Sequence, residues 1–275
     1  MSLKLMYITN NPVIALTAEK NGVDQIFVDL ETLGKEERQK NMNTVKSHHA
    51  INDVAVLAKT LNKSELMVRI NPWNKDSKEE IEQVIASGAD RIMLPMWKNP
   101  EVVDKFLKAV NNRTATTLLL ETKEAAECID EVLNNPLLDE IHIGLNDLHL
   151  SYGLNFMFQL LSNGVVENLC KKMQAKQIKY GFGGIAGIGE GVIPAERIIT
   201  EHYRLGSQRA ILSRSFCDVD KENDFKKIEE IFALNIKKIR EFENTLCEYS
   251  DSDFEKNKLE TYSLINDFAD SVKKD

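Results

Sequence analysis

The chain has 275 residues, 43% of them hydrophobic, which is ample material for one barrel-sized domain or two smaller ones. A net charge of -8 and a pI near 5.3 exclude the broad cationic field that a nucleic-acid partner requires. No apolar run approaches the roughly 20 residues that span a bilayer, the N-terminus lacks a secretory core, and Cys128, Cys170, Cys217 and Cys247 form no C-x-x-C pair, so a cytoplasmic protein with reduced thiols is expected.

In chain order, "KLMYIT" (from Lys4) reads as a strand followed by a helix from about Pro12. "QIFVDLE" (from Gln25) leads through a long polar loop to a helix over "AINDVAVLAKTL". "LMVRIN" (from Leu66) precedes a helix opening near Ser77, with Glu79 and Glu80 in the first turn where the helix dipole favours them. "RIMLPM" (from Arg91) precedes a helix after Pro100, and "TTLLLE" (from Thr116) leads into "TKEAAECIDEVL". "DEIHIGL" (from Asp139) opens a helical region ending near Lys176, and "KYGFGG" (from Lys179) precedes a helix over "PAERIITEHYRL". "RAILSRSF" (from Arg209) precedes a long helix from Phe225 to Leu246.

Eight strands, each followed by helix, and each almost continuously apolar, predict a parallel sheet buried on both faces. Eight such units predict an α/β fold of the (β/α)8 TIM barrel type over residues 1–249. The open doubly wound alternative lacks its phosphate fingerprint, since "TNNPVIAL" follows the first strand. Residues 250–275 add a helical extension, capped by Ser252 or Asp253, with an apolar stripe of Phe254, Tyr262, Ile265, Phe268 and Val272. That stripe packs either on its own barrel or on a neighbouring subunit, and an exposed stripe would favour the neighbour.

Barrel active sites sit at the C-terminal ends of the strands. The polar residues there are Asp29 and Glu31, Arg69 and Asn71, Glu121, Asn146 and Asp147, and Ser213, Arg214 and Ser215. Glu121 and Asp147 come from adjacent strands, and two carboxylates with open positions describe a Mg²⁺ or Mn²⁺ site. The competing reading pairs a single acid with Arg69 or a helix end. Gly144 and Asn146, beside the backbone N–H groups of Leu145 to Asp147 at a helix start, are candidates to hold a substrate carboxylate. Glycines crowd "YGFGGIAGIGEGVIPAER", and together with Ser213 and Arg214 they are candidates for a substrate phosphate or other anionic group, or else form a lid or turn with no ligand. Trp73 and Trp97 either wall the pocket or pack in the core.

"GVDQIFVDLE", "LMVRINP", "SGADRIMLPM", "LLLETKEAAECIDEV" and "DEIHIGLNDLHLSYG" resemble, in order and spacing, the motifs of the HpcH/HpaI aldolase/citrate lyase family. The resemblance implies a phosphoenolpyruvate/pyruvate-type barrel in which Glu121 and Asp147 bind a divalent metal, Mg²⁺ or Mn²⁺, that chelates a 2-oxo acid. It implies Arg69 as the group that clamps the substrate and stabilises an enolate, Glu31 at the substrate, an aldehyde as second substrate, and a homo-oligomer, hexamer or trimer, whose dimers exchange their eighth helices. The aldolase branch carries a histidine after the strand-two glutamate, where this chain has Thr32. His48 and His49, on the loop after that strand, are the candidates to replace the missing base. "VDLE" is closer to the citrate lyase β branch, so an acyl-CoA lyase of the citrate lyase β or malyl-CoA type is the alternative, and a non-catalytic metabolite-binding barrel is a third.

Overall fold

The structure, a computed structural model, describes residues 2–34, 49–213, 216–217, 222 and 224–272. Its strands are β1 (Lys4–Ile8), β2 (Gln25–Asp29), β3 (Glu65–Arg69), β4 (Arg91–Leu94), β5 (Ala115–Leu120), β6 (Glu140–Ile143), β7 (Lys179–Phe182), β8 (Gly184–Ile185) and β9 (Arg209–Leu212). All pair in parallel, in the order β7-β6-β5-β4-β3-β2-β1-β9-β8. β7 and β8 are two pieces of the expected seventh strand, so the ends of the sheet adjoin and the ring is a nearly closed TIM-type barrel. The break falls at Gly183, whose φ of 51° only glycine adopts cheaply. A Cβ there would also meet Leu145 Cδ1 at 2.6 Å. Before it, β7 bonds to β6; after it, β8 bonds to β9.

Alternation along each strand sorts the side chains. Outward residues such as Val28, Val68, Ile92, Leu118 and Ile141 join the main core under the helices. Inward residues Met6, Phe27, Met67, Met93 and Leu119 make a small separate cluster inside the ring. Below them, two arginines and two glutamates close the barrel floor. Arg91 reaches Glu65 at 2.9 Å and Glu140 at 3.4 Å, and Arg209 pairs with Glu140. The floor is thus charge-matched, as buried ions must be. The inner cluster leaves the opposite rim for chemistry.

Local signals set the helix ends. Asn11 accepts from the Val13 and Ile14 amides and Asn99 from Val102, each just before a proline that starts the helix. Two long helical expectations break up. "TKEAAECIDEVL" forms Lys123–Glu127 and Ile129–Val132, and the region before Lys176 forms Leu145–Ser151, Gln159–Ser162 and Val165–Ala175. Gly153 and Gly164, both at positive φ, turn the chain between these pieces. The helix Phe225–Leu246 buries Ile228, Phe232, Ile236 and Ile239 and sets Phe232 edge-on to Tyr7 of β1 at 4.9 Å.

The C-terminal helix, Asp251–Val272, lies on its own barrel. Thr261, Ile265 and Ala269 are buried, and Phe268 meets Phe156 at 4.5 Å. The stripe is therefore used within the chain, except for Val272, which stays exposed. Its cap is Ser250, two residues before Ser252 and three before Asp253. Ser250 Oγ accepts from the Asp253 amide, and Asp253 Oδ2 accepts from the Ser250 amide, a reciprocal capping box. Among the described residues no helix is long and apolar enough to cross a membrane. All four cysteines are free thiols.

Two fully buried histidines make the fold acid-sensitive. Burial pulls His142 down to about 4, with the Arg209 charge acting the same way and the Gly183 backbone, as an acceptor, opposing them. Burial and the neighbouring His142 pull His202 down to about 3. An unfolded histidine titrates near 6.5, so below that pH the unfolded chain binds protons that the folded chain refuses. Their stabilising contribution is present above about pH 6.5 and falls by about 1.4 kcal/mol per pH unit for each histidine as pH drops toward 4. Urea midpoints taken from pH 7 to pH 5 are expected to show this loss, and His202→Phe to remove about half of the histidine share. An acid profile unchanged in that variant would contradict the assignment.

Candidate functional site

The site grows from the strand ends. β2 and β3 pair with Asp29 opposite Arg69, and the register brings their side chains together. Arg69 donates Nε–H to Asp29 Oδ1 and Nη2–H to Asp29 Oδ2, both at 2.9 Å, and reaches Glu31 Oε2 at 3.4 Å. Asp29 and Glu31 are each only 3% exposed. The guanidinium stacks over Phe27 of the inner cluster, 5.5 Å from the ring centre. Burial opposes its charge, but Asp29, Glu31 and Glu121 hold the pKa of Arg69 above its ordinary value.

Glu121, just past β5, is 3% exposed. Burial pushes its pKa up to about 8; Arg69 pulls it down, while Asp147 and Glu31 push it further up. One oxygen accepts the Met96 amide at 3.0 Å. Met96 makes that bond from a left-handed backbone, φ 54°, which costs a non-glycine residue of order 1 kcal/mol. Asp147 sits in the first turn of Leu145–Ser151. The end of that short helix is tied back to the Glu121 loop, because Ser151 Oγ accepts the Lys123 amide at 2.8 Å. Glu121, Asp147 and Arg69 thus share one rim, as expected from the strand ends.

Gly144 lines this acid pair. An added Cβ would stand 3.1 Å from Glu121 Cβ and 3.2 Å from both Glu121 Oε2 and Leu119 Cδ1. Its φ of -81° suits any residue, so the constraint is space alone. Gly144→Ala is therefore expected to push the Glu121 side chain aside by a few tenths of an ångström and, with a metal held at Glu121, to weaken Mn²⁺ binding about tenfold, read by titration. Unchanged affinity would mean that the space beside Glu121 Oε2 is not used by a ligand.

The oxygen donors fit a hard divalent cation. Among the described residues no group of three His, Cys, Asp or Glu side chains is placed to hold a metal. Two carboxylates leave most coordination positions for substrate and water, as Mg²⁺ sites usually do.

The loop after β2 is fixed at its departure. Asn71 Oδ1 accepts from the Thr32 amide at 2.9 Å, the Thr32 hydroxyl at 3.2 Å and the Leu33 amide at 3.0 Å. Asn71 in turn donates its side-chain N–H to Glu80 at 2.8 Å. Glu80 is thus turned to the site rather than only to its helix dipole. Where the loop returns, the Asp29 amide donates to His49 Nδ1 at 2.9 Å. An amide only donates, so Nδ1 offers its lone pair and the neutral ring carries its proton on Nε2. His49 takes up a proton only by giving up that bond. His48, Arg214 and Ser215 lie outside the described residues.

The remaining candidates are more dispersed. Asn146 is exposed in the helix that carries Asp147. Ser213 follows β9, and its amide bonds to Ile185 O at 2.8 Å on the seam side of the ring. In the glycine-rich loop, a Cβ on Gly187 would meet Glu190 Oε2 at 3.0 Å, so a carboxylate closes the turn and a phosphate there would face like charge. Trp97 is buried in the main core, and the half-buried Trp73 packs against it. Sequence reading passed over Asp29 as the partner of Arg69, and Met96, Glu80 and Ser151 as supports. Only Asp29 gave a signal, as an acid two residues before Glu31 and on the same strand face.

A model of the HpcH/HpaI aldolase/citrate lyase family matches residues 4–157. No protein of curated function matches the sequence. Among solved structures, the HpcH/HpaI aldolase from Desulfitobacterium hafniense DCB-2 is similar at 16% identity and TM-score 0.60, over 83% of this chain and 93% of that one. Protein CitE from Mycobacterium tuberculosis, in complex with magnesium and acetate, is similar at 15% identity and TM-score 0.57, over 87% and 97%. A tryptophan synthase from M. tuberculosis reaches TM-score 0.60 at 10% identity, over 87% and 94%. Structural likeness at such identities fixes the barrel and leaves the reaction open.

Proposed function

The chain belongs to the HpcH/HpaI aldolase/citrate lyase family, and from that premise we propose that it is a divalent-metal-dependent lyase acting on pyruvate or a related 2-oxo acid. It forms or cleaves the carbon–carbon bond next to the carbonyl. The observation that carries this reading is Glu121, a carboxylate only 3% exposed that feels the charge of Asp147, while the nearest arginine is engaged side-on through Nε and Nη2 by Asp29. Such a pair calls for a cation.

In this reading Glu121 and Asp147 hold Mg²⁺ or Mn²⁺, and the magnesium in the CitE neighbour supports that choice. When bound, the ion supplies a Lewis acid for the 2-oxo oxygen. Arg69, preorganised by Asp29 and Glu31, directs its remaining N–H groups at negative charge developing on that oxygen. Gly144 leaves room for the substrate beside Glu121, and Asn146 with the neighbouring amides faces its carboxylate. His49 acts as an N–H donor from Nε2 rather than as the base, because its Nδ1 lone pair is engaged.

A test is α-proton exchange of pyruvate in D₂O with Mg²⁺ or Mn²⁺, with and without EDTA. Exchange is expected only with metal; exchange that survives chelation overturns the mechanism. A second reading, a metabolite-binding barrel without turnover, is favoured by one observation. Thr32 donates its hydroxyl to Asn71 and His49 offers no lone pair, so neither is held as a base. Metal-dependent pyruvate binding without exchange at any pH would select it.

A further inference from the structure

We propose that the C-terminal helix braces the Asp147 side of the site, with Phe268 and Asn266 as positioning residues. The inference rests on the reading of Asp147 as a metal ligand. Helix Leu145–Ser151 has seven residues, too short to hold itself, so its orientation comes from its neighbours. One neighbour is the Glu121 loop, through Ser151 and Lys123.

The other neighbour is reached through the chain that follows. The Leu154 amide donates to His149 O at 2.9 Å, and His149 Nδ1 meets Leu145 O at 3.1 Å. The amides of Asn155 and Phe156 both donate to Gln159 Oε1 at 3.0 Å. Phe156 also packs edge-on to Phe158 at 5.4 Å. Segment 145–162 is therefore one connected unit, and the last turns of the C-terminal helix close on it. Phe268 lies 4.5 Å from Phe156, and Asn266 Oδ1 accepts from the Ser162 hydroxyl at 2.9 Å.

The brace needs an anchor, and the first half of the helix supplies one. Arg197 pairs with Glu260 at 3.0 Å, Asn257 donates to Arg197 O at 3.2 Å, and Arg204 reaches Tyr262 Oη at 3.0 Å. Helix Ala195–Arg204, on which this half lies, packs against the barrel through Ile198 and Ile199. The C-terminal helix thus links a fixed part of the barrel to the segment carrying Asp147. The family match ends at residue 157, so this support lies outside the matched region. Metal ligands tolerate displacements of only about 0.5 Å before affinity falls, which makes metal affinity a sensitive readout.

The experiment uses the full chain with Phe268→Ala and Asn266→Ala combined, and Phe268→Leu as the milder variant. Hydrogen exchange over 145–162 and the dissociation constant for Mn²⁺ are measured alongside thermal unfolding. The double variant is expected to exchange faster over 145–162 and to bind Mn²⁺ about tenfold more weakly, with Phe268→Leu in between. Glu260→Gln removes one of three anchor contacts and leaves those of Asn257 and Tyr262, so it is expected to raise exchange and weaken Mn²⁺ binding less than the double variant does. Exchange over 145–162 equal to wild type overturns the proposal, and so does unchanged Mn²⁺ affinity in a variant whose exchange has risen. A wild-type chain that binds no Mn²⁺ sinks the metal reading instead, and the exchange rates alone then decide whether the helix braces the segment.

Discussion

Glu121→Gln is expected to abolish metal binding and turnover while leaving the metal-free fold as stable as wild type, or more so. Burial pushes the metal-free carboxyl up to about 8, which favours its protonated form at neutral pH. Glutamine imitates that protonated form in shape and charge. A carboxyl whose folded pKa is raised favours the fold below its unfolded value, near 4.5, and loses that contribution as pH climbs through about 8. Relative to the glutamine variant, which shares the histidine dependence, wild type without metal should therefore lose a few kcal/mol between those limits. With Mn²⁺ added, wild type should gain thermal stability and the variant none. Pyruvate exchange should drop by at least about 10³-fold, on the scale of losing a principal electrostatic contact. A variant that still melts higher with Mn²⁺ would move the metal away from Glu121.

Arg69→Ala is expected to be the most damaging single change to the fold at this rim. It removes the cation facing Asp29 and Glu31, each 3% exposed, and also the field that offsets the burial of Glu121. Leaving a buried charge without its partner costs about 3–5 kcal/mol. Arg69→Lys separates the two roles of the guanidinium. A lysine restores charge but not the two parallel N–H bonds to Asp29. It should recover most of the urea midpoint yet remain about 10²-fold below wild type in exchange. Activity within a few fold of wild type for the lysine variant would show that charge, and not the fork, is what the site uses.

The barrel was legible because its strands are runs of core residues such as "IFV", "LMV" and "LLL", which fit nothing but a sheet buried on both faces. The rim rule then carried Glu121, Asp147 and Arg69 to one place without any knowledge of distances. Features that depend on how separate segments align were not legible. The lock of Arg69 onto Asp29 exists only because the register sets residue 29 opposite 69. Met96 reaches Glu121 through a backbone angle that its side chain does not announce. The glycine-rich stretch reads as an anion cradle in the sequence, while the carboxylate that Glu190 sets beside Gly187 is placed there by the fold. The apolar stripe of the C-terminal helix was visible in the sequence, while its partner, Phe156, lies 112 residues before Phe268 and is only paired by the fold.

The broken seventh strand has a mechanical consequence. A ring of strands resists unzipping because it has no edge from which to start. Here the two fragments on either side of Gly183 divide their ladders between opposite neighbours, β7 with β6 and β8 with β9, and bonds from β7 across to the β9 side are sparse. The Gln208 amide donates to Tyr180 O at 2.9 Å and the Ile211 amide to Gly183 O at 3.4 Å. Under heat or tension this seam is where the cylinder should part first, with those two amides exchanging ahead of the amides of β3. The opened cylinder would then present raw strand edges at β7 and β8, the kind of surface on which unfolding chains aggregate.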